Sequence, residues 1–382
     1  MSHSAPLPEP SPEALEASRR LCSLIGGEIS RQGGWISFAR YMELALYAPG
    51  LGYYAAGTQK FGSGGDFVTA PEITPLFGRV LAHQFAEVLQ ACGGSILELG
   101  AGSGRLAADV LGELARLGQL PDSYCILEVS PSLRARQREL LAPWGDRVRW
   151  LDAMPADFRG VVFGNELLDA LPVHLLRWEA EGVYERGVAM AEGAGFRFSD
   201  RLLSPGALLD AAREIEVEAG YVSEISLALP ALVESLGGCL QHGLLLFVDY
   251  GFGRAEYYHR QRRHGTLAGH YRHRMLDDPF YLPGLTDLTA HVDFTRAADA
   301  ALAAGLQLSG YTSQAHFLLN AGVTQLLEAT EVTPSAAYLR RAADVQKLLS
   351  PAEMGELFKV MGFTRDAPVP SGFASGDRRH QL

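Results

Sequence analysis

The stretch ILELGAGSGRLAADVL, residues 96–111, limits the fold more than any other part of this chain. An apolar run ends at Leu99, glycines follow at 100, 102 and 104, and an amphipathic repeat begins directly after them. That order predicts a strand, a tight turn and a helix, the opening of an alternating α/β unit. Glycine is needed where φ turns positive and where a ligand comes close to the backbone. A helix starting there aims free amide groups, and the positive end of its dipole, at whatever occupies the turn.

The alternation continues downstream. Residues 124–129 read as a second strand, Ser130-Pro131 caps a helix reaching about Trp144, and 148–151 and 161–164 read as a third and fourth strand. A strongly apolar fifth strand covers 243–249, with weaker strands at 307–312 and 358–364. The fold class this predicts is α/β: a Rossmann-like, mostly parallel sheet with helices on both faces. Upstream, Ser11-Pro12-Glu13 opens a helix running to Gly33-Gly34, a second covers 37–47, and Thr74-Pro75 opens a third after the glycine-rich KFGSGGDFVTAPEI. Between the fourth and fifth strands, VHLLRWE, VYERGVAMA and FRFSDRLL read as an antiparallel meander followed by a helix. The expected division is a helical accessory region over 1–74, a first core part over 75–172, an inserted meander and helix over 173–240, and a second core part over 241–382 carrying a lid-like insertion at 253–300.

Composition narrows the partners. With 382 residues, 47% of them hydrophobic, the chain can bury a sizeable core, and its net charge of −11 argues against a general nucleic-acid binder. Cys22, Cys92, Cys125 and Cys239 are widely spaced, which reads as reduced thiols rather than a disulfide framework or a metal knot, so no metal is expected. No apolar run reaches membrane-spanning length, and MSHSAPLPEPSPEALEASRR has no apolar signal core. A cytoplasmic bacterial protein is the expectation, and a homodimer is compatible with it.

The ligand of the glycine turn follows from spacing and charge. A dinucleotide fingerprint is G-x-G-x-x-G, but here the third glycine comes one residue early and Arg105 stands in its place. Glu98 precedes the turn, where a carboxylate would repel a pyrophosphate and attract an aminoacyl ammonium group. That combination predicts S-adenosyl-L-methionine rather than NAD. The next strand ends in Glu128, where an acid hydrogen-bonds ribose hydroxyls, and the third in Asp152, within reach of an adenine amine. Any one of these acids also reads as a helix cap or a solvated loop end. Three acids closing three successive strands make a poor case for coincidence.

With those residues in view, the chain resembles the class I methyltransferases of the MidA type, relatives of the mitochondrial complex I assembly factor that methylates a protein arginine. The matching stretches are RYMELALYAPGLGYY (40–54), FGSGGDFVTAPEITPLFG (61–78), ELGAGSGRLAADVL (98–111), GNELLDALPVH (164–174), FVDYG (247–251) and LTAHVDFT (288–295). GTLAGHYRHR (265–274) departs from the pattern by an extra small residue. The resemblance implies a seven-stranded core with an accessory domain, and methyl transfer from S-adenosylmethionine to a protein arginine, in the service of respiratory complex I assembly. The alternatives are a small-molecule or RNA methyltransferase and a non-catalytic, cofactor-binding assembly factor.

An arginine acceptor is a cation, so bringing it to a sulfonium requires carboxylates. VVFGNELLDALPV (161–173) supplies them: Asn165, Glu166 and Asp169 follow an apolar strand. If the chain turns helical after Asn165, the i, i+3 spacing sets both acids on one helix face. The bland alternatives are a cap for Asp169 and a surface ion pair for Glu166. Asp66 joins the cofactor set or forms a second acidic wall with Glu72, and His291 is set on the substrate side, although a packing role fits it equally. The stretch 254–274, with its arginines and four histidines, reads as a solvated loop near the site rather than as an RNA or metal site.

Overall fold

Seven strands form the path of the main sheet: β1 (Ser95–Leu99), β2 (Tyr124–Leu127), β3 (Val148–Leu151), β4 (Phe158–Asn165), β5 (Leu240–Phe252), β6 (Gln307–Ser313) and β7 (Phe358–Arg365), and an eighth, the two-residue strand Val292–Asp293, pairs in parallel with the end of β5. Their order is β6-β7-β5-β4-β1-β2-β3. Strands β1 to β5 run parallel, and β7 lies antiparallel between β5 and β6. The chain starts at β1, winds outward to β3, and returns to set β4 on the other side of β1. The direction of winding therefore reverses between β1 and β4, which opens a crevice beyond their carboxyl ends.

The computed structural model describes residues 7–56, 69–193, 195–329 and 335–382. The sheet lies in a unit made of Val68–Leu171, Leu227–Arg262 and His291–Leu382. Strand residues alternate between two apolar layers. On one face Ile96, Tyr124, Val161 and Leu244 pack with Phe77, Val80 and Phe85 of helix Pro75–Cys92 and with Val110 of helix Arg105–Arg116. On the other, Leu97, Val162 and Leu245 meet Leu229, Val233 and Leu236 of helix Ala228–Cys239 and Phe294 of helix Phe294–Ala303. Covering both faces is why these strands read as continuous apolar runs.

The other unit is formed by Met1–Phe67, Pro172–Ser226 and Arg263–Ala290. Its helices Pro12–Arg31 and Phe38–Tyr47 start at Ser11 and Ser37, whose hydroxyls accept from Ala14 N–H and Arg40 N–H. A four-stranded sheet runs in the order Phe196–Leu202, Gly182–Met190, His174–Glu179, Tyr221–Ile225. The last of these strands was not anticipated from the sequence.

Boundaries also differ from expectation. Helix Ala228–Cys239 belongs to the sheet's own unit because Leu229, Val233 and Leu236 are buried against it. So does the segment from His291 onward, and the chain joins that unit at Val68 rather than at 75. The 254–274 stretch is not one loop. Arg254–Tyr257 and Arg260–Arg262 are short helices of the sheet unit, whereas Ala268–Tyr271 and Arg274–Leu276 form a hairpin in the other. Buried Glu224 accepts from Thr266 N–H at 2.9 Å and Leu267 N–H at 3.0 Å, tying the hairpin's approach to strand Tyr221–Ile225. Among the described residues no helix is long and apolar enough to cross a membrane.

Close strand approach rests on glycine at two sites. Gly160 (φ +119°) and Gly243 (φ +142°) sit side by side, and a Cβ on either would run into backbone, of Ser95 and Gly160 respectively. Gly112, inside helix Arg105–Arg116, has open space instead. Gly160→Ala is expected to lose about 3 kcal/mol or more, while Gly112→Ala gains about 0.5–1 kcal/mol. Urea unfolding midpoints of the two variants check both signs.

Candidate active site at the carboxyl edge of the sheet

The glycine turn forms as its composition demands. Gly100, Gly102 and Gly104 have φ of +65°, +54° and +83°. Gly100 N–H donates to Leu127 O at 3.0 Å, and Gly104, in the left-handed region, caps helix Arg105–Arg116. That helix start carries amides without intrahelical partners, and Arg105 N–H donates to the Ser103 hydroxyl at 3.3 Å.

The acids expected beside it take three different situations. Glu98 is buried, and the Tyr124 hydroxyl donates to its Oε2 at 2.7 Å. Burial pushes its carboxyl up to about 8, with Glu128 adding to the rise. It is thus not an open carboxylate at the mouth of the turn but a buried acid that a neighbouring cation would draw toward its ionised form. Glu128 lies just beyond β2, its Oε1 accepting from Ser130 N–H at 2.9 Å, and burial raises it as well. The next residue, Val129, is 71% exposed, an apolar surface beside an acid that suits a purine over its ribose. Asp152 departs from expectation: it is 88% exposed and ion-paired with Arg134 at 2.7 Å. The residues present therefore fit S-adenosylmethionine through Glu98, the glycine turn, Glu128 and Val129, with Asp152 the loosest member. Asp66 lies outside the described residues.

Glu72 sits in the short helix Ala70–Ile73 and accepts from the Ser103 hydroxyl at 2.5 Å, which ties it to the glycine turn. The backbone of Ala70 in the same short helix lies near the Glu166 carboxyl and opposes its rise.

Beyond β4 the chain does not become helical. Glu166 takes φ +50°, donating its N–H to Val248 O at 2.8 Å, and a turn closes from Leu171 N–H to Leu168 O at 3.2 Å. The helical i, i+3 premise is wrong, yet Glu166 and Asp169 are brought together. The agent is Asp249 on β5, wholly buried, whose Oδ2 accepts from Leu167 N–H at 3.0 Å, Leu168 N–H at 2.7 Å and Asp169 N–H at 3.4 Å. Its Oδ1 accepts from Tyr250 N–H at 3.0 Å, and the Tyr250 hydroxyl donates to Asp169 Oδ2 at 2.6 Å. The sequence contains this residue in FVDYG, but nothing in its spacing marks it as the group that shapes the 166–171 turn.

Burial raises all three carboxyls, and Asp169 adds to the rise at both Glu166 and Asp249. Burial, with Asp169 next, pushes Glu166 up to about 8, and burial pushes Asp169 up to about 6 against the pull of the Tyr250 hydroxyl. Asp249 is raised by burial and by Asp169, and its amide donors oppose that rise. Asn165 Nδ2 donates to Glu166 Oε1 at 3.2 Å, while its own Oδ1 is buried and meets no hydrogen-bond partner among the described residues. That oxygen is an acceptor in search of an N–H. His291 packs between Tyr250 and Phe252, each ring centroid 5.2 Å away, and burial with Arg262 and Lys359 nearby lowers it to about 4. It is a neutral, packed ring flanking Tyr250.

A β3-β2-β1-β4-β5-β7-β6 sheet with a glycine turn after β1 and an acid after β2 defines a class I methyltransferase. A model of an S-adenosyl-L-methionine-dependent methyltransferase family matches residues 80–312. The chain belongs to that family. It is 31% identical over 376 residues to the mitochondrial protein arginine methyltransferase NDUFAF7 of Danio rerio, covering 87% of this chain and 84% of that one. The Homo sapiens protein of the same name is 29% identical, covering 85% and 79%. A crystal structure of a Burkholderia thailandensis protein bound to S-adenosyl-homocysteine superposes with a TM-score of 0.95 at 48% identity, covering 99% of this chain and all of that one. The protein is an S-adenosylmethionine-dependent methyltransferase.

Raised carboxyl groups make stability depend on pH in a definite direction. Glu98 and Glu166 keep their protons in the folded state up to about 8, whereas the unfolded chain releases them in the usual carboxylate range, so stability falls as pH rises between the two. Glu166→Gln removes one such group. Its Tm is expected to exceed that of the wild type by a few degrees near pH 8 and to converge with it near the ordinary carboxylate range, read by calorimetric scans across pH. Ionisation of Glu98 on meeting the cofactor's ammonium predicts proton release on binding. Titrations of S-adenosylmethionine in buffers of different ionisation enthalpy then give different apparent heats near pH 7, and Glu98→Gln abolishes the difference.

Proposed function

We propose that the methyl acceptor is the guanidinium of a protein arginine, and that Glu166 and Asp169 receive it. The observation that carries this reading is the pair of buried acids held by Asp249 at the same sheet edge as the glycine turn. Such a pair is costly for a neutral acceptor and favourable for a cationic one. The names of the relatives, protein arginine methyltransferases, support the same reading.

S-adenosylmethionine supplies an electrophilic methyl group on a sulfonium. The protein's own part is alignment and charge. A guanidinium arriving between Glu166 and Asp169 draws both toward the ionised form, reversing the rise that burial imposes. Glu166 as carboxylate polarises the reacting nitrogen and takes the proton that nitrogen loses as its new N–C bond forms. Asp169, steadied by the Tyr250 hydroxyl, holds the remaining N–H groups, and Asn165 Oδ1 accepts one more. The family resemblance supports a place in respiratory complex I assembly. The four free thiols support a reducing compartment, the bacterial cytoplasm.

The direct test incubates the protein and methyl-labelled S-adenosylmethionine with the proteome of a strain lacking the gene, then locates the label by mass spectrometry. A label on an arginine nitrogen of a discrete protein is expected, and a label elsewhere removes the arginine assignment. Glu166→Gln is expected to lower that transfer at least ~100-fold while calorimetric affinity for the cofactor stays within a few-fold of the wild type. Retained turnover would take Glu166 out of the mechanism.

A further inference from the structure

Helix Pro131–Leu141 buries Leu133, Gln137 and Leu141 along one stripe. Two of the three are what an amphipathic helix places there. The third is an amide with no solvent exposure. A buried amide is unfavourable unless its donors and its acceptor all find partners, and a leucine or methionine would fill the same volume without that demand.

Gln137 meets the demand with partners from three different strand ends. Its Nε2 donates to Gly102 O at 2.9 Å, in the turn after β1, and to Glu128 Oε2 at 3.1 Å, just after β2. Its Oε1 accepts from the indole Nε1–H of Trp150, in β3, at 2.9 Å. The glycine turn also rests on it, since a Cβ at Gly104 would lie 3.2 Å from Gln137 Cγ. No other side chain on that helix is bonded to both the glycine turn and the acid after β2 among the described residues.

We propose that Gln137 is a positioning residue for S-adenosylmethionine, holding Glu128 and the Gly102 peptide in one fixed relation so that ribose and aminoacyl ends are gripped together. The role rests on Glu128 as the ribose-binding acid. Because one Nε2 serves both Glu128 and Gly102, loss of the amide releases the carboxylate and the turn at once. A leucine-like packing role would release neither.

The test is calorimetric titration of S-adenosyl-homocysteine, which needs no acceptor and so stands apart from the arginine assignment. Gln137→Met is expected to bind about 10- to 100-fold more weakly at every pH, the loss typical of a hydrogen bond to a charged group, with the unliganded protein melting a few degrees lower because Trp150, Gly102 and Glu128 lose a partner. Gln137→Glu places a second carboxyl against Glu128. It should bind weakly at alkaline pH and recover toward wild-type affinity as pH falls, because a protonated glutamic acid can donate to Glu128. In a Glu128→Ala background Gln137→Met should cost only a few-fold, as the two act through one contact. Trp150→Phe, which keeps the amide's donors in place, should lose only a few-fold, and the pH dependence of Gln137→Glu reads the effect should Gln137→Met fold poorly. Wild-type affinity in a folded Gln137→Met protein overturns the proposal. So does an equal, pH-independent loss in the methionine and glutamate variants. If Glu128→Ala itself binds normally, the ribose assignment fails, and that outcome is separate from any effect of Gln137.

Discussion

A buried aspartate that accepts three consecutive backbone amides is the contact on which the acidic side of this molecule depends. Asp249 stands near the end of β5 and closes the chain that leaves β4 into a turn, through Leu167, Leu168 and Asp169. Without those bonds, three amides would be buried with no partner, each costing on the order of 1–3 kcal/mol. With them, Glu166 is held at a left-handed φ that a non-glycine residue adopts only under constraint. The strain and the amide capture are two parts of one device, and they set two carboxyl groups beside the cofactor turn.

The same edge is organised around charge that water does not stabilise. Glu98, Glu166 and Asp169 are each raised, chiefly by burial, so the protein groups alone hold fewer negative charges than their composition suggests. A sulfonium with an ammonium group, and a guanidinium, are the ligands that reverse that condition. On the proposed reading, each cation converts a neutral acid into a counter-ion at the moment it binds, in a low-dielectric setting where the pairing is strong. Affinity and proton release are therefore linked by construction. The short helix Ala70–Ile73 is tied to the glycine turn through Glu72, and its Ala70 backbone opposes the rise of Glu166.

Local pattern made much of this legible. The glycine turn, the strand–helix alternation and the acid after β2 follow from spacing and from the ends of apolar runs, and the positive φ at Gly100, Gly102 and Gly104 is what their composition calls for. Glu166 and Asp169 were visible because carboxylates at the tip of a buried strand are out of place. Their grouping was read through the wrong geometry, since a helix was expected where a side chain from 80 residues further along imposes a turn. Asp152 and Glu72 have contacts that the sequence did not show, for a related reason. A sequence shows which acids lie near strand ends but not that Arg134 or Ser103 will claim them. Nor did the run of histidines and arginines over 254–274 reveal that Glu224 ties its second half to a different sheet.

What the sequence determined by itself was the class of fold and the chemical type of its cofactor, because both are written in contiguous residues. An apolar strand, a turn that only glycine permits, and a helix start that offers amides lie within 16 positions. Tertiary structure alone decided which polar groups act together. Asp249 and Gln137 are ordinary in the sequence, one inside an apolar strand and one on an amphipathic helix. Their meaning comes from hydrogen bonds to groups that chain order keeps apart and sheet winding brings within 3 Å or so. A hydrogen bond requires distance and direction, and only the folded backbone supplies either.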